Sequence, residues 1–305
     1  SDAESPREPF LPPLPFTPFE FGELDSGDVL ASCDIDHGVA PVADSPGGSV
    51  AGYRRWAAFQ REKLVHYARD RNDPLRDPST RLSPYFHYGH ISPFRIAKAL
   101  HETTGPAKAG ADKLLDELLI WREAAWHDCF QHPEHMEASS LPAWARTTLL
   151  AHERDARAHR FTWEALAHGE TGDALWDACQ QSLVRHGELH NNVRMTWGKA
   201  LLEWTRTAGE ALALLQDLND RYALDGRDPA SYGGLRWCLG HFDRPFAPEL
   251  PILGTVRPRP LAEHAHRLNV PRFKAFAARS PFLSAPRVAV LGAGMAGLSC
   301  ARVLA

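Results

Sequence analysis

The stretch that most limits how this 305-residue chain can fold begins at Gly187 and ends at Trp237. It opens as Gly187-Glu188-Leu189-His190-Asn191-Asn192-Val193-Arg194-Met195-Thr196-Trp197-Gly198-Lys199 and runs on through Leu202-Glu203-Trp204. At about 100° per residue, Asn191, Arg194, Trp197, Leu201 and Trp204 fall on one side of a helix. A helix that only fills a core would carry Leu and Ile there, whereas this one carries an amide, a guanidinium and two indoles. Trp197 and Trp204 are seven residues apart, so their Cα atoms lie roughly 10 Å apart along the axis. Spacing alone leaves two readings open. The indoles are core anchors, since Trp buries a large area and its N–H readily finds an acceptor, or they pass an electron in short hops.

Composition narrows the partners. An apolar content of 44% is enough for one large core or two modest ones. Nine Trp is a heavy load that suits an aromatic-lined pocket. The net charge of −4 provides no global field for nucleic acid, so a DNA partner needs a local arginine face. Five Cys sit far apart without a CxxC, which fits free thiols in a reducing cytoplasm. His127, His132 and His135 are the closest histidine cluster but lack a Cys or carboxylate frame for zinc. No metal is expected. Neither a signal peptide nor a run of 18 apolar residues occurs, so no membrane association is expected.

Residues 1–48, rich in Pro, Gly, Asp and Ser, read as an extended linker over a domain surface. From Ser49 an apolar stripe of Tyr53, Trp56, Phe59, Leu64 and Tyr67 predicts helix down to Asn72-Asp73-Pro74. Ser79-Thr80-Arg81-Leu82-Ser83-Pro84 follows. Hydroxyls and backbone N–H groups beside a helix start make either a plain N-cap or an anion cradle. Residues 112–130 predict one amphipathic helix on which Glu117 and Trp121 are i,i+4 neighbours. That pair is either a solvated Glu beside a core Trp or a carboxyl and a ring set to hold a flat base. Residues 139–186 predict two or three helices with Trp144 and Trp163 in the core. Arg257, Arg259, Arg267, Arg272 and Lys274 close this region as phosphate contacts or as solvated charge. At the end, Val288-Ala289-Val290-Leu291 runs into Gly292-Ala293-Gly294-Met295-Ala296-Gly297. This is a dinucleotide-binding fingerprint in its strand–turn–helix context, read as the truncated start of a Rossmann-type domain over 286–305.

The run His190…Arg194-Met195-Thr196-Trp197-Gly198-Lys199…Leu202-Glu203-Trp204, followed by Leu218-Asn219-Asp220-Arg221-Tyr222 and Asp225-Gly226-Arg227-Asp228-Pro229, resembles the flavin-binding domain of the photolyase/cryptochrome family. The likeness is to its class II cyclobutane pyrimidine dimer photolyases. It implies a mainly α fold, with a helical FAD-binding domain over 49–280 between the linker and the truncated β-α stub. It implies FAD as cofactor. Tyr67, Ser79, Thr80, Arg81, Leu82, Ser83, Arg122 and Asn191 match flavin-contacting positions of the family. Arg194 and Asp225 match a salt bridge beside the isoalloxazine, and Asn219 matches an amide facing flavin N5. Glu117 and Trp121, within Glu-Leu-Leu-Ile-Trp-Arg-Glu, match groups that hold a flipped dimer, and Trp237 matches a Trp wedged against it. Trp176, Trp197 and Trp204 match an electron-transfer triad. The implied function is light-driven repair of pyrimidine dimers in UV-damaged DNA by a cytoplasmic monomer. A blue-light photoreceptor without repair and a module of a fused FAD-dependent oxidoreductase are the alternatives.

Overall fold

Apolar positions recur at helical spacing nearly everywhere beyond Ser49, and helices follow from that. The computed structural model describes residues 26–280. The expected dinucleotide-binding start over 286–305 and the beginning of the linker lie outside the described residues. Two units are distinguished, one up to Val39 and one from Ala40 onward. In the first, α1 (Ser26–Ser32) interrupts the linker that was expected to be extended throughout. Val29, Leu30 and Ala31 offer no breaker, and Asp28 sits in the first turn, where the helix dipole favours a carboxylate. Ser32 Oγ donates to the Val29 carbonyl at 2.8 Å to end it.

The second unit contains α2 (Ser49–Glu62), α3 (Leu64–Asp70), α4 (Ser83–His87), α5 (Pro93–His101), α6 (Lys108–Asp116), α7 (Arg122–Gln131) and α8 (Ala143–Ala151). It continues with α9 (Trp163–His168), α10 (Ala174–His186), α11 (Asn191–Trp204), α12 (Ala208–Tyr222), α13 (Pro229–Cys238), α14 (Leu261–Arg267) and α15 (Val270–Ala277). Among the described residues the only β-pairing is an isolated bridge between Leu250 and Gly254. Two buried clusters organise the helices. Trp56, Phe59, Leu64, Ile96, Leu100 and Leu114 join α2, α3, α5 and α6. Trp176, Trp197, Leu201, Leu212, Leu235 and Phe273 join α10 to α13 and α15.

Two helices expected to be continuous are not. The stripe from Tyr53 to Tyr67 divides at Lys63, whose backbone leaves the helical region (φ −121°). Its ammonium donates to the Asp77 carbonyl at 2.7 Å and to the Asp77 carboxylate at 2.8 Å. The segment 112–130 is α6, then a five-residue π-turn Glu117–Trp121, then α7, with the Arg122 N–H bonding to the Glu117 carbonyl five residues back. Such turns insert one residue into a helix and often stand at functional sites. α6 lies directly on the α2–α3 junction, because a Cβ on Gly110 would come within 1.8 Å of the Leu64 carbonyl oxygen.

Caps fix the helices that carry the aromatic residues. Asp173 accepts from the Leu175 and Trp176 N–H groups at the start of α10, and Gly187 ends it in a left-handed conformation (φ 60°). Asp228 caps α13, with Pro229 in its first turn. Trp163, expected in the core, instead stands at the surface with 36% of its area exposed. It opens the short helix α9, where its Nε1 donates to Asp217 Oδ2 at 2.6 Å and the Arg221 guanidinium lies 5.0 Å from its ring. Those polar partners hold it at the rim.

Burial lowers three histidines, His190, His241 and His264, to about 4. Arg236 also disfavours a charged His241, and Arg259 and Arg267 a charged His264. The folded state therefore binds fewer protons than the unfolded chain, in which histidine titrates near 6.5. Their contribution is fully present above that value and is lost as pH falls from about 6.5 toward 4, at about 1.4 kcal/mol per unit of depression for each group. Thermal unfolding followed by circular dichroism is expected to show a Tm that falls steadily on acidification through this window. A flat Tm would remove the neutral-histidine account.

Candidate active site

Between the two clusters lies a cavity of about 600 Å³, within the usual range for ligand pockets. α3 contributes Tyr67, and Arg71 follows it at the rim; the segment before α4 contributes Asp77, Ser79, Thr80 and Arg81, with Ser83 at its start. The π-turn brings Glu117 and Trp121, and Arg122 follows at the start of α7. The α10–α11 connection adds Glu188, and α11 adds Asn191 and Arg194. Asp225, Asp228, Ser231 and Trp237 close the far wall from the α12–α13 turn and α13.

The polar end is set by costly backbone. Asp77 (φ 47°) and Arg81 (φ 53°) both adopt the left-handed region, which non-glycine residues occupy only when their surroundings hold them there. Ion pairs do so. Lys63 meets Asp77 at 2.8 Å, and Arg81 meets Asp77 at 3.1 Å and Glu188 at 3.0 Å. Arg81 Nε nevertheless remains buried without a hydrogen-bond partner. On the opposite wall Asp228 Oδ1 caps α13 through the Ala230 N–H at 2.9 Å. Its Oδ2 is buried without a hydrogen bond, with His87 Nδ1 at 3.5 Å and Arg122 at 3.6 Å. A guanidinium nitrogen and a carboxylate oxygen thus line one cavity unsatisfied, a costly arrangement.

The aromatic end is built by Trp121 and Trp237, whose rings lie 4.9 Å apart at 37°. Phe242 meets Trp237 edge-on at 5.8 Å. Trp121 is 38% exposed, so this wall reaches solvent. Glu117 is tied to Arg71 at 2.8 Å and to Lys113 at 2.9 Å. These are ion-pair distances, and the contacted oxygen lacks hydrogen-bond geometry to either. The expected α-helical pairing of Glu117 with Trp121 is replaced by this charge cluster and the π-turn. Tyr67, behind it, is pushed up to about 12 by burial and then by Glu117.

The three indoles expected as a triad form a line. Trp176 and Trp197 are wholly buried and stack at 6.1 Å and 15°, and Trp204 meets Trp176 at 5.3 Å and 60°. Trp176 Nε1 donates to the Trp197 carbonyl at 3.0 Å, and Trp197 Nε1 donates to Gln180 Oε1 at 3.2 Å. The line starts one helical turn beyond Arg194, which faces the cavity, and ends at the partly exposed Trp204.

Other expected positions depart. Asn219 does not line the cavity. It is buried behind it, donating to the Gly226 carbonyl at 2.7 Å and accepting from Ser231 Oγ at 3.1 Å. Its amide thus joins α12 to α13, and Ser231 presents the polar atom to the cavity. Leu82 is buried in the α2–α6 core, and only its neighbours line the wall. Arg194 and Asp225 do not pair, because the guanidinium turns to Ser231 Oγ at 3.3 Å and the Leu189 carbonyl at 3.4 Å. Sequence reading missed Glu188, Ser231 and His186, whose ring nitrogens face Asp44 Oδ2 and the Ala277 carbonyl, each at 3.1 Å. No local pattern singles these out, because each is set by contacts with segments far along the chain.

The family model described as the FAD binding domain of DNA photolyase matches residues 114–210. A deoxyribodipyrimidine photo-lyase of Methanothermobacter thermautotrophicus is 37% identical over 211 residues, covering 69% of this chain and 46% of that one. That of Potorous tridactylus is 34% identical over 252 residues, covering 82% and 47%. The chain belongs to the photolyase family. It spans about half the length of the curated relatives it matches. A bacterial class III photolyase from Agrobacterium tumefaciens aligns with a TM-score of 0.53 at 21% identity, over 78% of this chain and 48% of that one, a likeness of fold. The cofactor of the matched photolyase domain is FAD. The cavity fits such a group, offering a guanidinium nitrogen and a carboxylate oxygen that lack partners, beside the hydroxyls of Ser79, Thr80 and Ser83. Diphosphate and ribose demand that kind of mixed donor and acceptor set.

Proposed function

We propose that this chain is the catalytic part of a light-driven lyase that repairs cyclobutane pyrimidine dimers in UV-damaged DNA. The observation that carries it is the continuity of one cavity from the Arg81 cradle to the Trp121–Trp237 pair. When bound, reduced FAD would supply the light-driven one-electron chemistry that opening a cyclobutane ring needs. Ser79, Thr80, Ser83 and Arg81 would hold its diphosphate. Tyr67, Arg122, Asn191, Arg194 and Asp225 orient the rest of the cofactor. Trp121 and Trp237, in contact with each other, offer ring surface against which an extruded lesion packs, and Glu117 meets its polar edge. In this reading the Arg71 and Lys113 contacts fix where the Glu117 side chain stands beside that edge. Trp197, Trp176 and Trp204 carry electrons inward from the surface to restore the reduced cofactor.

The test is loss of dimer from an irradiated oligonucleotide under blue light with chemically reduced protein. Retained dimers with normal photoreduction would favour a photoreceptor, which the Trp line would serve equally well. Trp237→Ala is expected to weaken binding of a dimer-containing oligonucleotide by about 1–3 kcal/mol, the worth of one base–aromatic stack. Fluorescence titration measures this, and an unchanged Kd would remove Trp237 from the lesion contact.

A further inference from the structure

We propose that the outer end of the indole line is a docking lip for a small anionic one-electron donor. The proposal rests on reading that line as the electron supply. Trp204 is its last indole and is partly exposed. Phe161 leans on it edge-to-face at 4.7 Å, and the exposed His159 stacks on Phe161 at 6.2 Å and 18°. Aromatic contact therefore continues from the buried line out to solvent.

Charge around this lip is unbalanced. Arg157 donates to the carbonyls of Thr205 at 2.8 Å, Arg206 at 3.0 Å, His152 at 2.9 Å and Asp155 at 2.6 Å. It tethers the end of α11 to the 152–157 turn, yet among the described residues no carboxylate lies within ion-pair distance of it. The exposed Arg206 makes no ion pair with a described residue either. Among the described residues Arg160 pairs only with Glu210, at 3.9 Å. Glu203, next to Trp204, is pushed above the usual carboxylate range by burial. Three guanidiniums therefore stand beside two carboxylates, Glu210, which accepts from the Arg206 N–H at 2.7 Å, and Asp155, which His152 already holds at 2.6 Å, in a chain whose net charge is −4. Such a patch concentrates small anions and speeds their encounter. A donor docked there gives one electron to the oxidised Trp204 indole, which returns to its neutral form. The donor leaves one unit less negative. No bond forms or breaks, and no proton moves while the indole keeps its N–H.

The experiment uses the FAD-loaded protein, a light flash, and the absorbance of the oxidised indole as it decays in ferrocyanide or in an uncharged hydroquinone. In wild type the ferrocyanide rate is expected to fall as salt is added, because exposed charges are screened within about 10 Å at 0.1 M ionic strength. Arg206→Glu is expected to slow ferrocyanide about tenfold at low salt, the lower end of steering effects, and to leave the hydroquinone rate unchanged. Rates with ferrocyanide that ignore both salt and Arg206→Glu overturn the docking lip. A decay signal undiminished in Trp204→Phe overturns the electron-supply reading itself, and the lip with it.

Discussion

Trp176→Phe is expected to lower the rate of FAD photoreduction by more than an order of magnitude while leaving dimer repair by pre-reduced protein close to wild type. Trp176 is the only indole that touches both others, at 6.1 Å to Trp197 and 5.3 Å to Trp204. Phenylalanine keeps most of the bulk but is far harder to oxidise, so the line would break in its middle. The variant should still fold. It loses the hydrogen bond from Nε1 to the Trp197 carbonyl, worth about 0.5–1.5 kcal/mol, and leaves a modest gap. Steady blue illumination with an added reductant, read in the flavin absorption bands, measures the first quantity. Photoreduction at the wild-type rate would show that electrons arrive by another route. Loss of repair in the pre-reduced form would instead give Trp176 a structural role.

The second large effect is on stability. Gly110→Ala is expected to cost about 3 kcal/mol or more, the upper range for overpacking a tight contact. The new methyl would meet a backbone carbonyl at 1.8 Å rather than the tip of a flexible side chain, so either α6 or the α2–α3 junction must move. Either movement separates Tyr67, on α3, from Glu117, which follows α6. Loss of bound FAD should therefore accompany the fall in Tm. A variant with wild-type Tm and a full complement of FAD would mean that the close approach of these elements is not needed.

The general architecture was legible because apolar spacing and caps act locally. The 21-residue separation of Trp176 and Trp197 and the seven-residue separation of Trp197 and Trp204 pointed, through resemblance, to one group of rings, and those rings do touch. What stayed hidden depends on partners distant in sequence. The kink at Lys63 answers to Asp77, and the burial of Asn219 answers to Gly226 and Ser231. Arg194 was expected to find a carboxylate and found a hydroxyl and a carbonyl. Trp163 reads as apolar mass, but its indole N–H and the nearby Arg221 keep it at the rim. The π-turn has no residue signature, since Glu-Leu-Leu-Ile-Trp would serve equally well in an α-helix.

That one surplus residue works as a phase adjustment on everything that follows it. An α-helix advances about 100° per residue, so α7 is rotated by roughly that amount from where uninterrupted winding would leave it. Arg122 and Ala125 face the cavity only because of this offset. Deleting Leu119 would thus do more than remove a leucine. It would take out the surplus residue itself, so that regular winding carries Arg122 and the rest of α7 to nearly the angle they hold now, whereas closing the π-turn with every residue kept would swing Arg122 away from Asp228.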